Sequence, residues 1–198
     1  MLKRRLFAIM GLALCLTLLA CSAAKAPAEA AIKAADEALT AVRPEAAKVV
    51  PDELKAVEDA LAATKDNFQK GEYQQALTGA QDVGAKVKEL TAALAAKKDE
   101  LTKSWQDMSG GLPGMVGVIS KRVEILSKAK TLPAGLDKEK LDSAKATLAT
   151  VTQTWTEASD AFKAGNLADA VGKAQSVKEK AVEIMNTLGM KAPAAAQK

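Results

Sequence analysis

The chain of 198 residues contains no histidine and only six aromatic side chains. Without imidazole there is no Ser-His-Asp or Cys-His catalysis, and no imidazole-ligated metal or haem. Aromatics amount to 3% of the residues, too few to line a sugar cleft or to stack successive bases. A basic excess is also missing once the first twenty residues are set aside. The remainder holds 25 Lys and Arg against 24 Asp and Glu, so no electrostatic grip on nucleic acid is expected. The paired carboxylates Asp36-Glu37, Glu58-Asp59 and Asp99-Glu100 lie mostly off the apolar seam and read as solvated helix faces. A di-metal carboxylate bundle would need Glu-x-x-His ligands as well. No catalytic residue, metal or cofactor is expected, and the protein reads as a non-enzyme.

Cysteine is scarce too: Cys15 and Cys21 are the only two. Their setting is informative. Lys3, Arg4 and Arg5 form a basic start, and the apolar run from Leu6 to Ala20 follows. Fifteen residues is short for a permanent membrane span. The run ends in Leu18-Leu19-Ala20-Cys21. A basic start, an apolar run and small residues before a cleavage point form the pattern of an exported precursor. The segment resembles the bacterial lipobox of the exported lipoproteins. The resemblance implies cleavage before Cys21, a lipid such as palmitate on its sulfur and new amino group, and a body in the periplasm. In the enteric sorting pattern Asp after the cysteine favours inner-membrane retention. Ser22 stands there instead, which implies the outer membrane. Cys15 would leave with the signal, so no disulfide is expected despite an oxidising compartment.

The organisation expected is a signal peptide at 1–20, a lipidated tether at 21–29, a helical bundle at 30–190 and a flexible tail at 191–198. Ser22 to Glu29 is small and Ala-rich with Pro27, and the tail holds Pro193 and a run of Ala. The chain has 42 Ala, and between these ends its apolar residues recur at three and four. Ile32, Ala35, Leu39 and Val42 start the pattern; Pro44 is expected to disrupt this helix, and Val49-Val50-Pro51 to break the chain again. Leu54, Leu61 and Phe68 recur by sevens up to Gly71. Tyr73, Ala76, Ala80, Val83, Val87, Leu90 and Leu94 then form a long seam, continued by Leu101 and Met108 to Gly110-Gly111. That predicts one helix about 55 Å long. Lys97 and Ser104 interrupt its apolar run. Val116, Ile119, Val123 and Leu126 predict a short helix before Pro133 and Gly135. Leu141, Leu148, Trp155 and Phe162 predict another, ending at Gly165, and Leu167 to Leu188 the last. No useful stretch alternates with period two, so strands are not expected.

Phe68-Gln-Lys-Gly71-Glu-Tyr73-Gln-Gln-Ala76-Leu77 matches Phe162-Lys-Ala-Gly165-Asn-Leu167-Ala-Asp-Ala170-Val171, 94 positions later. The same offset pairs Leu54, Val57 and Leu61 with Leu148, Val151 and Trp155. These ten-residue phrases resemble the inter-helix turn of tetratricopeptide repeats. The helices are too long and the period too great to carry over that family's peptide groove. The expected architecture is all-α: an antiparallel bundle of about six helices built from a duplicated long hairpin, with halves at 30–111 and 112–190.

The one segment without a clean helical pattern is Ser109-Gly-Gly-Leu-Pro-Gly-Met-Val-Gly117. It lacks the Gly-Lys-Ser/Thr of a phosphate loop and reads as the connection between halves. Leu112, Met115 and Val116 in it are candidate partner contacts, and so is Trp105 at an exposed apolar patch. Trp155, on the seam, reads as core. Lys198 ends the sequence, and an Ala-rich helical lipoprotein ending in Lys is similar to the major murein lipoprotein; Lys198 is therefore a candidate peptidoglycan link. The functional expectation is a lipid-anchored outer-membrane scaffold acting through an envelope protein, with long seams that could also pair copies of the chain. The alternatives are a structural lipoprotein on peptidoglycan and a lipid- or amphiphile-binding bundle.

Overall fold

A computed structural model describes residues 24–191. Cys21, Ser22 and Lys198 lie outside the described residues. Five helices occupy nearly all of that stretch, and it contains no strand. They are α1 (Lys25–Val49), α2 (Pro51–Gln69), α3 (Tyr73–Lys128), α4 (Lys138–Lys163) and α5 (Leu167–Thr187).

Local chemistry sets most of the helix ends. Val50, before a proline, is driven out of helical geometry to φ −139° and ψ 60°. Pro51 then starts α2, where its missing N–H costs nothing, and Asp52 and Glu53 face the positive end of the helix dipole. Asp137 caps α4: its carboxylate accepts the Lys140 N–H at 2.8 Å. The turns after α2 and α4 share one geometry. Gly71 has φ 82° and Gly165 φ 77°, a left-handed conformation that favours glycine. Around them the N–H of Glu72 bonds the Asn67 carbonyl at 2.9 Å, and that of Asn166 bonds Ala161 at 2.9 Å.

The chain divides into two compact units between Lys97 and Lys98, and α3 supplies residues to both. In the first unit, Leu39 of α1, Leu54, Val57 and Leu61 of α2, and Val83, Val87, Leu90 and Leu94 of α3 form one apolar cluster. Ion pairs tie α1 to α2: Asp36 to Lys65 at 3.0 Å and Arg43 to Glu58 at 2.8 Å. Both are half-exposed, and such pairs contribute about 0–1 kcal/mol each. Glu37 and Asp59 are also paired, with Lys33 and Lys55. Four of the carboxylates weighed for chemistry are therefore surface ion-pair partners.

In the second unit, Trp105, Leu112, Ile119, Val123 and Leu126 of α3 pack with Val151 and Ala158 of α4 and Val177, Ile184 and Met185 of α5. Trp105 stacks on Trp155 at 5.4 Å and on Phe162 at 4.7 Å between ring centres.

The structure departs from the sequence reading at four places. The Gly-rich segment is not a connection: α3 runs straight through Ser109–Gly117, so two expected helices are one and the described residues form five. Trp105, Leu112, Ile119 and Leu126, seven apart, are all buried, and their burial outweighs four weak helix formers and Pro113. Pro44 likewise sits inside α1 without ending it; Leu39 and Ala46 on either side are fully buried, which holds the helix through one lost hydrogen bond. The boundary between units falls at Lys97, where a lysine interrupts the seam, and not at Gly111. Finally, α1 begins at Lys25 and buries Ala28 completely, inside the segment expected to be a tether.

Candidate functional site

The two tryptophan-containing stretches illustrate how burial redistributes the candidates. Trp105 is only 7% exposed and serves the core of the second unit, so it is not a partner surface. Val116 is half-buried and packs on the same core. Leu112, 3% exposed, and half-buried Met115 belong to that core too, and both also line a groove of about 540 Å³ in the second unit.

One wall of that groove comes from α3. Met108, Gly111, Leu112, Gly114, Met115 and Val118 follow at spacings of about three and four, so they share a helix face. The other wall comes from α5 and the turn after it. Lys178 and Met185 are seven apart on α5. At the end of α5, Gly189 adopts φ 66°, and the Met190 N–H bonds the Met185 carbonyl at 2.8 Å. This left-handed turn brings Met190 and Lys191 to the groove.

Three features distinguish the groove from ordinary surface. All four methionines that follow the first twenty residues, Met108, Met115, Met185 and Met190, line it. Methionine is flexible and polarizable, and adapts to apolar ligands of varied shape. Two of the lining residues, Gly111 and Gly114, are glycines at which a Cβ would meet no atom within 4 Å, so neither is there to let helices approach. Glycine weakens a helix by about 0.8–1.0 kcal/mol relative to Ala, so here it leaves space open at a cost in helix stability. Val118, in the groove wall, and Ile125, seven residues on, are the large hydrophobic side chains left exposed among the described residues, at 54% and 62%.

Charge in the groove comes from Asp107, Lys178 and Lys191. None of the three has an ion-pair partner among the described residues, in contrast to Lys173, which pairs with Asp169 at 3.0 Å. One turn beyond Val118, the Arg122 Nε is buried without a hydrogen-bond partner, a rare state for a buried polar atom. No group of three potential metal ligands occurs among the described residues. A second depression, of about 580 Å³, is walled by Ser120, Lys145, Thr152 and Thr156 among others. There the Thr152 and Thr156 hydroxyls donate to Leu148 and Thr152 carbonyls of their own helix.

Compared with protein-family models, characterised proteins and solved structures, the chain matches none of them. Among the described residues, no helix is long and apolar enough to cross a membrane.

Of the candidate partner contacts, Leu112 and Met115 line the groove; the sequence analysis did not single out Met108, Val118, Lys178, Met185, Met190 or Lys191 as contacts. A signal was present. Between Ala96 and Ala129 this Ala-rich chain has no alanine, and four glycines and two methionines stand there instead.

Proposed function

We propose that the protein is a lipid-anchored, non-enzymatic helical binding protein of the bacterial outer membrane, and that it binds through the methionine-lined groove of its second unit. The observation that carries this reading is the groove's composition: four thioethers and exposed Val118 around space that helix-weakening glycines leave empty. Its volume of about 540 Å³ lies within the roughly 300–1,000 Å³ of small-molecule sites. That favours the ligand-binding alternative over a purely scaffolding role, which loses Trp105 as a contact. The anchor rests on Leu18-Leu19-Ala20-Cys21, and the outer-membrane destination on Ser22. We also infer that the two units derive from one duplicated element. The matched glycine turns at Gly71 and Gly165 support this, as does the burial of Val83, Leu90 and Leu94 beside that of Val177, Ile184 and Leu188 at the same offset.

A photo-crosslinking residue in place of Val118, introduced in the cell, tests the binding site. A discrete adduct is expected, absent from the same substitution at exposed Gln81 and lost when Gly114→Leu fills the groove. No adduct, or equal adducts at both positions, would overturn the reading. For the anchor, Cys21→Ala is expected to abolish incorporation of radiolabelled palmitate and leave an unprocessed precursor; retained labelling would exclude lipidation at Cys21.

A further inference from the structure

We infer that the groove binds an anionic single-chain amphiphile, its hydrocarbon among Met108, Met115, Met185 and Met190 and its acidic head toward Lys178 and Lys191. The inference rests on the groove being the binding site. The lining supplies two chemistries side by side: a surface of thioether and aliphatic groups, and the ammonium groups of Lys178 and Lys191, neither of which makes an ion pair among the described residues. Lys178 is half-buried, so an anion beside it sits in reduced dielectric, where a charge-assisted hydrogen bond is stronger than in water. Asp107 offsets one of the two lysines, leaving a net positive charge in the groove, and Arg122 adds a further cation one turn beyond Val118.

The size argues for a small amphiphile over a docked protein. A specific protein partner needs about 800 Å² of surface on each side, including an apolar core of several anchors. Here the exposed large apolar side chains are Val118 and Ile125 alone among the described residues. A flexible alkyl chain needs no such area. It needs an apolar trough with adaptable walls, which methionine provides. The head group can be a carboxylate, as in a fatty acid, or a phosphate, as in a lysophospholipid. Both offer an anion on one chain.

The test uses the full chain, expressed in a bacterium and reconstituted in phosphatidylcholine vesicles. Three probes carry the same diazirine-bearing sixteen-carbon chain: palmitic acid, hexadecanol and lysophosphatidic acid. After illumination, the attachment sites are mapped by peptide mass spectrometry. Saturable labelling of the 107–118 and 178–191 peptides is expected, stronger for both acids than for the alcohol by about tenfold. The balance between the two acids identifies the head group preferred. Lys178→Gln with Lys191→Gln is expected to remove that preference, bringing labelling by both acids down to that of the alcohol. Gly111→Leu and Gly114→Leu, which favour the helix while occupying the groove, are expected to abolish labelling by all three probes. Groove labelling that ignores head charge would overturn the anionic ligand and leave the binding site standing. Labelling spread along the chain, or unaffected by either leucine, would overturn both.

Discussion

Alanine substitution of the glycines of α3 separates empty space from packed space with one chemical change. At Gly110, Gly111, Gly114 and Gly117 the helix backbone is ordinary and an added Cβ meets nothing within 4 Å. Each substitution is expected to stabilise the second unit by about 0.5–1 kcal/mol, from reduced chain entropy in the unfolded state. In a domain of this size that is a rise of roughly 2–8 °C in Tm. Gly79, in the same helix, is the internal control. A Cβ there would lie 2.7 Å from the Thr64 Oγ1, and Thr64 cannot swing away freely, being 4% exposed with its hydroxyl donating to the Ala60 carbonyl at 2.8 Å. Overpacking of about 1–3 kcal/mol exceeds the propensity gain, so Gly79→Ala is expected to destabilise, and to become stabilising when Thr64→Ala is present. The assay is denaturant unfolding read by two probes. Both tryptophans, Trp105 and Trp155, belong to the second unit and stack there, so their fluorescence reports that unit, and far-UV circular dichroism reports both. Destabilisation by Gly114→Ala, or equal gains at Gly79 and at the open Gly84, would refute the packing on which the groove argument depends. Alanine at Gly111 and Gly114 also narrows the groove, so stability and ligand labelling are expected to move in opposite directions.

Other substitutions probe the rest of the fold. Leu39→Ala removes a fully buried side chain from the first unit and is expected to cost about 2–5 kcal/mol, measured by circular dichroism in urea. Gly165→Ala forces a Cβ into the left-handed region at φ 77° and is expected to cost about 1–2 kcal/mol in tryptophan-detected unfolding; a stabilising effect there would contradict the turn. Lys55, Lys70 and Lys173 have their pKa raised above 10.5, first by hydrogen bonds to Asp59, Asp66 and Asp169. A raised lysine contributes its stability fully below the unfolded value and loses it as pH climbs through the folded one. Melting temperature is therefore expected to fall as pH rises above 10.5, with a smaller drop in high salt, because these pairs are exposed and screened.

Periodicity alone made the helical class legible, because a seam repeating at three and four leaves a chain no other way to bury its apolar side. The breaks at Val50-Pro51, Gly71 and Gly165 were legible for local reasons: a residue before proline is excluded from helical geometry, and a left-handed turn favours glycine. The course of the chain through Ser109–Gly117 was not. Four glycines and a proline argue locally for a loop, and only the buried row Trp105, Leu112, Ile119 and Leu126 argues otherwise. That row weighs more because each burial is worth about 1.5–3 kcal/mol, against about 1 kcal/mol for each glycine and about 3 kcal/mol for the proline. Pro44 gave way to Leu39 and Ala46 for the same reason. The site was least legible of all. Met108 and Met115 lie some seventy residues from Met185 and Met190, and no spacing along the chain links them. What the sequence by itself determined is each helix's apolar face and the positions of its firm stops, which depend on neighbours within a few residues. Which faces meet, and so which methionines and lysines share a groove, was decided only when α3 and α5 packed in the second unit, because burial is a property of the whole assembly of helices and not of any one.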